Sequence, residues 1–211
     1  MKKMISLFNV LIIATLFSAF AQKNDDEVEF VTNRKLEKQL NLPKLKTSDN
    51  DIDLRIFLGR GFTNGGSVLW IRKKKNSWVA SRYDYLLKLN KNEEVTTKIE
   101  NYDIANLKPN SGWEDFWKDS KDLGIMYLPN QEEIKDKLRK EVTTVIGKGY
   151  EVIHVSDGSG YDLDVKEDGR IENYSFHEPW IYAEKYPNVS EVRQYSEIIQ
   201  LLEKEFGINY R

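Results

Sequence analysis

The sequence predicts an α+β fold, with a mainly antiparallel sheet and about three helices packed on one face. Apolar and polar residues alternate in several short segments, which is typical of strands with one buried face. Three longer segments repeat their apolar residues at helical spacing and begin with capping residues. Strands come first, then helices, then more strands and a last helix, an order that favours an antiparallel sheet.

Composition excludes several classes of protein. The chain has 211 residues, of which 40% are hydrophobic, so it can bury the core of one domain. It contains no cysteine, which excludes disulfide bonds, thiolate metal sites and cysteine nucleophiles. Its 34 acidic residues offset 32 basic ones, so the charge does not favour a nucleic-acid partner.

Residues 1–21 have the pattern of a secretory signal peptide. Lys2 and Lys3 precede an apolar run from 5 to 17, and Ala19-Phe20-Ala21 is a typical cleavage signal. The alternative is an uncleaved anchor helix, which needs about 20 apolar residues, more than this run has. We therefore expect export to the periplasm or beyond, with no stable membrane span after cleavage.

The polar segment 22–50 predicts a linker or a loosely docked N-terminal arm, with a short helix over 34–42 that ends at Pro43. Residues 51–211 are expected to form a single α+β domain. Strands are predicted at 52–58, 68–72, 78–85 and 96–102.

The three capped helices follow from pairs of polar residues three positions apart. Each pair precedes an apolar stripe, so each predicts a capping box and a helix packed on the core. Around Trp113–Trp117, core packing is favoured over a ligand platform, because large aromatic side chains dominate cores. The three pairs are Ser111 with Glu114, Asn130 with Glu133, and Asn188 with Glu191, the last helix ending at Gly207.

Asp168-Gly169 predicts a tight hairpin turn between two strands. The turn places Leu163 opposite Tyr174 on an apolar face, and Asp164 opposite Asn173 on a polar face. A third strand, over 152–156, is expected before them.

The loop after this third strand leaves two registers open, because a one-residue slip exchanges the faces of a strand. A two-residue loop would put His154 on the apolar face, and a three-residue loop would put Ile153 and Val155 there. Burying an aliphatic side chain is favourable by roughly 1.5–3 kcal/mol, so we expect the three-residue loop.

That register predicts two polar rows across three strands. A histidine beside a carboxylate, with serines nearby, has the groups needed for acid–base or nucleophilic catalysis. The alternative is a solvated sheet face, which antiparallel sheets commonly have. The candidate catalytic residues are His154, Asp164, Ser156 and Ser175, and the binding candidates are Asp162 and Asn173.

No cofactor or metal site is predicted. The glycine-rich stretch 59–66 lacks the spacing of a dinucleotide fingerprint and the lysine of a phosphate loop, so it indicates a turn or bulge. The acidic residues Asp49, Asp51 and Asp53 have the first spacing of a calcium loop without its glycine. The histidines at 154 and 177 lack a third ligand for zinc.

Several short motifs resemble a group of uncharacterised exported bacterial proteins. They are Leu128-Pro129 before a charged helix, the hairpin Asp157-Gly158 to Tyr161, the segment Tyr174–Phe176, and a last helix that closes in Phe206-Gly207. The resemblance covers 111–207 and implies a secreted or periplasmic α+β domain, without an activity.

The expected function is a non-catalytic binding or interaction domain of the cell envelope. Its ligand or protein partner is not identified by the sequence. The alternative is a hydrolase-type enzyme that uses the polar sheet face with His154 and Asp164, and the sequence leaves the choice between them open.

Overall fold

The computed structural model describes residues 32–60, 63–155 and 158–208. These residues form two 3-10 helices, Leu45–Thr47 and Gln131–Lys137, four α-helices and eight strands. The α-helices are α1 (Asn33–Gln39), α2 (Trp113–Asp122), α3 (Pro179–Lys185) and α4 (Ser190–Phe206). The strands are β1 (Ile52–Arg60), β2 (Gly65–Lys74), β3 (Ser77–Leu89), β4 (Val95–Leu107), β5 (Lys140–Thr144), β6 (Gly147–Glu151), β7 (Ser159–Glu167) and β8 (Arg170–His177).

The main sheet has six strands in the order β4-β3-β2-β1-β7-β8, and all of its neighbours pair antiparallel. The four strands predicted between 52 and 102 are confirmed as the meander β1 to β4. Strands β5 and β6 form a separate two-stranded sheet. The α+β class is therefore confirmed.

One face of the main sheet carries the larger hydrophobic core. Leu54 and Ile56 of β1 lie beside Leu163 and Val165 of β7, and all four are at most 1% exposed. Helices α2, α3 and α4 contribute to the same apolar cluster. Two of them, α2 and α4, lie where the sequence predicts helices, whereas α3 lies where none is predicted. Burial of these strands supplies the main stabilisation of the sheet.

The tryptophan segment of α2 belongs to this core. Trp113 stacks on Trp78 with ring centroids 5.4 Å apart, and Trp117 is 4% exposed. The indole of Trp117 donates a hydrogen bond to Glu167 Oε1 at 2.9 Å. The rings therefore pack against protein on several sides, which favours core packing over a ligand platform.

The second face of the sheet is also covered, and α1 supplies the cover. Leu36, Leu40 and Leu42 are buried in a cluster with Phe57 and Trp70. The segment predicted as an arm thus contributes buried leucines from α1 onward. The predicted helix begins one residue earlier, at Asn33, and ends before Leu40 rather than at Pro43.

The caps of the helices differ from two of the three predictions. At α2 the N-cap is Gly112, and the carboxylate of Glu114 instead accepts hydrogen bonds from Lys73 and Trp78. At α4 the N-cap is Val189, but Gly207 ends the helix in the left-handed region with φ 62°, as predicted. At the 3-10 helix Gln131–Lys137, the third prediction is confirmed: Glu133 Oε2 accepts the Asn130 N–H at 2.7 Å, as a capping box requires.

The second of the three predicted helices, which begins after Asn130, is shorter than predicted. It is a 3-10 helix that ends at Lys137, and Val142 lies in β5 instead. Residues 140–151 form a hairpin whose two-residue turn is Val145-Ile146. Val142, Thr143 and Thr144 are β-branched residues, which favour a strand over a helix.

Candidate functional site

The predicted register of the β7–β8 hairpin is confirmed. Asp162 lies opposite Ser175, and Asp164 lies opposite Asn173, on the face that points away from the main core. Asn173 Nδ2 donates a hydrogen bond to Asp164 Oδ1 at 2.6 Å. Four of the six candidate residues therefore lie on one face of two adjacent strands.

The predicted third strand beside them is wrong. β1 pairs with the other side of β7 along its whole length, and Arg55 takes the position opposite Asp164. Residues 152–155 form no strand, so His154 is not beside Asp164. Strand β1 brings a longer apolar row to the core than Ile153 and Val155 could, which explains why it displaces them.

Ser156 lies outside the described residues, so its predicted place in the polar row has no structural test. Ile153 and Val155 still pack against the main core as partly buried side chains. The prediction that these two side chains turn inward therefore holds without the strand that was expected to carry them.

One cavity brings His154 together with Ser175 and His177. This histidine cleft has a volume of about 710 Å³ and lies between the 3-10 helix Gln131–Lys137, the segment 152–154 and the edge strand β8. Leu138, Phe176 and Ile153 add apolar surface to its lining. A concave site with apolar surface and a few converging polar groups is typical of ligand pockets.

Side-chain amides attach the wall of the histidine cleft to β8. The backbone N–H of Ser175 donates to Asn130 Oδ1 at 2.8 Å, and that of His177 donates to Gln131 Oε1 at 2.9 Å. β8 is an edge strand, and these amides bind its backbone as a neighbouring strand would. The edge is thereby covered, and the position of Ser175 and His177 relative to the cleft is set.

A strained residue fixes the backbone after His177. Glu178 has φ 45°, in the left-handed region, and its carboxylate accepts the Ser159 N–H at 2.5 Å. A Cβ at Gly158 would lie 2.1 Å from Glu178 Oε1, so a larger residue there would displace this carboxylate. The contact between Glu178 and the start of β7 thus holds His177 at the end of β8.

Neither imidazole has a hydrogen-bond partner among the residues that the structure describes. His154 is exposed and His177 is half-buried, and both line the histidine cleft. A general base in a catalytic triad is instead held by a third group. An imidazole ring can both donate and accept hydrogen bonds.

A row of glycines continues the polar face inward from His177. Gly160, Gly59 and Gly66 lie side by side on β7, β1 and β2. No described atom lies within 4 Å of a Cβ built on Gly59 or Gly160. At the far end, Tyr85 lies over Gly66, where a Cβ would be 2.3 Å from its hydroxyl oxygen.

Asp164 and Asn173 line a different cavity, which we call the arm cleft. It has a volume of about 690 Å³ and separates the β7–β8 hairpin from α1 and the segment that follows it. Burial raises the pKa of Asp164, and the hydrogen bond from Asn173 opposes that rise. The cationic residues that line the arm cleft are Arg34, Lys38, Lys44 and Lys46.

The acidic residues considered for calcium have separate protein partners. Asp53 is fully buried and bonds to Arg55, and Asp49 pairs with Lys74 on the surface. Asp51 Oδ2 accepts the Lys75 N–H at 2.5 Å. Within the described parts of the chain, no cluster of three histidine or acidic side chains could hold a metal ion.

No family model matches the chain, and no curated protein or solved structure matches it. The resemblance of 111–207 to exported bacterial proteins therefore stays a prediction. Among the described residues, no helix has the length and apolar character needed to cross a membrane.

Sequence reasoning missed His177 as a site residue. Extending the Asp168-Gly169 register three pairs beyond Leu163 and Tyr174 places His177 opposite Gly160 and on the same face as Ser175. That signal was present in the sequence. The sequence contained no signal that His154 would line the same cleft, because residues 152–155 form no helix or strand.

Proposed function

We propose that this protein is a non-catalytic binding domain whose histidine cleft holds a small polar ligand. The observation that carries the proposal is the convergence of both histidines of the chain on one cavity, where neither ring is bonded to a described residue. Imidazole rings combine hydrogen bonding with a flat apolar surface, so a pair of them suits a ligand of mixed character.

The cavity lining supports a binding role. Leu138, Ile153 and Phe176 offer apolar contact, whereas Glu132 and Lys135 add charge to the lining. A volume of about 710 Å³ lies within the roughly 300–1,000 Å³ of typical ligand pockets. The bonds from Asn130 and Gln131 to β8 preorganise one wall, which lowers the cost of ordering it on binding.

The histidine pair offers a direct test by NMR. Because the chain has 2 histidines, its imidazole Cε1–H spectrum contains two protein signals, and His154→Ala and His177→Ala assign them. We expect a member of a panel of amino acids and dipeptides to shift both signals. A Lys91→Ala variant, altered on the β3–β4 turn, should bind equally well. A panel that shifts neither signal would contradict the proposal.

A hydrolase-type enzyme is the second candidate, and one observation favours it. Asp162 lies opposite Ser175, and His177 follows on the same face of β8. Such an enzyme would cleave p-nitrophenyl acetate faster than free imidazole does and would lose this activity in His177→Ala. The binding proposal predicts no such difference between the two proteins.

We further propose that the chain is exported. The support is the pattern of residues 1–21, which lie outside the described residues. Expression of the full chain in a bacterium should yield a mature protein that begins at Gln22 and fractionates outside the cytoplasm. Retention of Met1 in a cytoplasmic product would contradict this proposal.

A further inference from the structure

We propose that the arm cleft is a second binding site, which takes an acidic sugar: a ligand with one carboxylate or phosphate group and several hydroxyl groups. The inference rests on cations at its rim and on a carboxylate in its wall, both on residues that the histidine cleft does not use.

Four cationic side chains line the arm cleft. Arg34 and Lys38 lie one turn apart on α1, and Lys44 and Lys46 follow within the next loop and short helix. None of the four forms an ion pair with a residue that the structure describes, although Lys73 and Lys74 elsewhere do. Like charges this close repel each other, so an anion among them is favoured.

The acidic side chains of the cleft do not neutralise these cations. Glu37 forms its ion pair with the buried Arg55, beneath the helix. Asp164 accepts a hydrogen bond from Asn173 through Oδ1, and its other oxygen accepts none from a described residue. The arm cleft thus combines cations that attract an anion with a carboxylate, that of Asp164, whose Oδ2 can accept a hydrogen bond from a ligand.

This combination selects the class of ligand. A simple inorganic anion would gain from the cations but would be repelled by Asp164 and Glu37. A neutral sugar would bond to Asp164 and leave the cations unsatisfied. An acidic sugar satisfies both, because its hydroxyl groups donate to Asp164 while its anionic group stays at the rim. A cavity of about 690 Å³ has room for one or two sugar rings.

The test uses D-glucuronate, D-glucose 6-phosphate and D-glucose with the full chain, by titration calorimetry and backbone amide NMR. We expect at least one of the two acidic sugars to bind and to shift amide signals of α1 and β7–β8. Which of them binds more tightly identifies the anionic group. Glucose should bind about tenfold more weakly or not at all. Equal binding of glucose, or binding of none of the three, would overturn the proposal.

Variants separate specific binding from general attraction. Arg34→Gln with Lys38→Gln should weaken binding by about tenfold or more, whereas Lys88→Gln with Lys91→Gln, an equal loss of charge outside the cleft, should not. Equal losses in both pairs would mean that net charge alone attracts the sugar, and would overturn the site.

Asp164→Asn tests the hydroxyl contact. If Asp164 accepts hydroxyl hydrogens from the sugar, the variant should bind several-fold more weakly, because an amide oxygen is a weaker acceptor than a carboxylate. Tighter binding in Asp164→Asn would show that the carboxylate only repels the anion, which would overturn the proposed orientation. The imidazole signals of His154 and His177 should not move in any of these titrations.

Discussion

Arg55 donates its Nε–H to Asp53 Oδ1 at 3.0 Å, and both side chains are completely buried. Asp53 also accepts hydrogen bonds from the indole of Trp70 at 2.8 Å and from the hydroxyl of Ser48 at 2.6 Å. Arg55 reaches α1 through Glu37. This pair therefore connects β1 to the helix and the loop that cover the second face of the sheet.

Removing Asp53 should be severely destabilising. Asp53→Ala would leave the guanidinium of Arg55 buried with one carboxylate partner and would leave the indole of Trp70 unsatisfied. Breaking a buried ion pair in this way costs roughly 3–5 kcal/mol of unfolding free energy. Urea unfolding measures it, and Asp49→Ala, which removes a surface partner of Lys74, is the matched control with little expected change. Equal stabilities would mean that the buried network contributes nothing.

The neighbouring glycines Gly66 and Gly59 allow a comparison between a crowded position and an open one. Ala at 66 would place its Cβ 2.3 Å from the hydroxyl of Tyr85 and 2.9 Å from the carbonyl oxygen of Leu58. We expect Gly66→Ala to lower the unfolding free energy by about 1–3 kcal/mol, the usual cost of overpacking. Gly59→Ala meets no described atom within 4 Å and should be tolerated. Similar denaturation midpoints for the two variants would contradict the close approach of Tyr85.

Asp164 should make the stability depend on pH. Burial raises its pKa in the folded chain above the value in the unfolded chain. The folded state therefore holds this proton more tightly, and stability is lost as the pH rises through the folded pKa. Asp164→Asn is neutral at every pH and should raise the thermal midpoint at neutral pH.

The advantage of Asp164→Asn should disappear below pH 3.8, the ordinary aspartate value, because the native carboxyl is then protonated too. Thermal unfolding at both pH values measures the difference. A lower midpoint for the variant at neutral pH would show that the charge of Asp164 stabilises the fold through Arg55. In the proposed sugar site, the ionised form of Asp164 binds the ligand although it lowers the stability of the fold. Binding residues commonly reduce stability in this way.

The turn of the β5–β6 hairpin carries apolar residues where polar ones are favoured. Val145 and Ile146 have relative exposures of 105% and 96%. Neither residue has the positive φ that favours glycine, and Asn and Asp are favoured in turns, so Val145→Asn with Ile146→Asp should keep or raise the thermal midpoint. Light scattering should show less self-association, since an exposed apolar tip is removed. A clear drop in midpoint would mean that these side chains stabilise the fold.

The edges of the main sheet illustrate what local sequence does not reveal. Gln39, at the end of α1, donates to the carbonyl of Thr97 and accepts the N–H of Ile99 on β4. Asn130 and Gln131 bind β8 in the same manner at the other edge. These amides protect edge strands from pairing with other chains. Their partners lie 43 or more residues away, so no local pattern predicts them.

The sequence by itself determined the α+β class, the four strands β1 to β4 and the β7–β8 register. Alternation of side chains and the Asp168-Gly169 turn act over a few residues, so they can be read locally. The tertiary structure decided which strand lies beside β7, because that choice depends on the total apolar surface that each competing segment buries. Arg55 therefore lies beside Asp164, where His154 was expected. His154 lines the same cleft as His177. The candidate residues were recognisable from their chemistry. The assignment of His154 and Ser175 to one cleft, and of Asp164 and Asn173 to the other, depended on the long-range packing of β1.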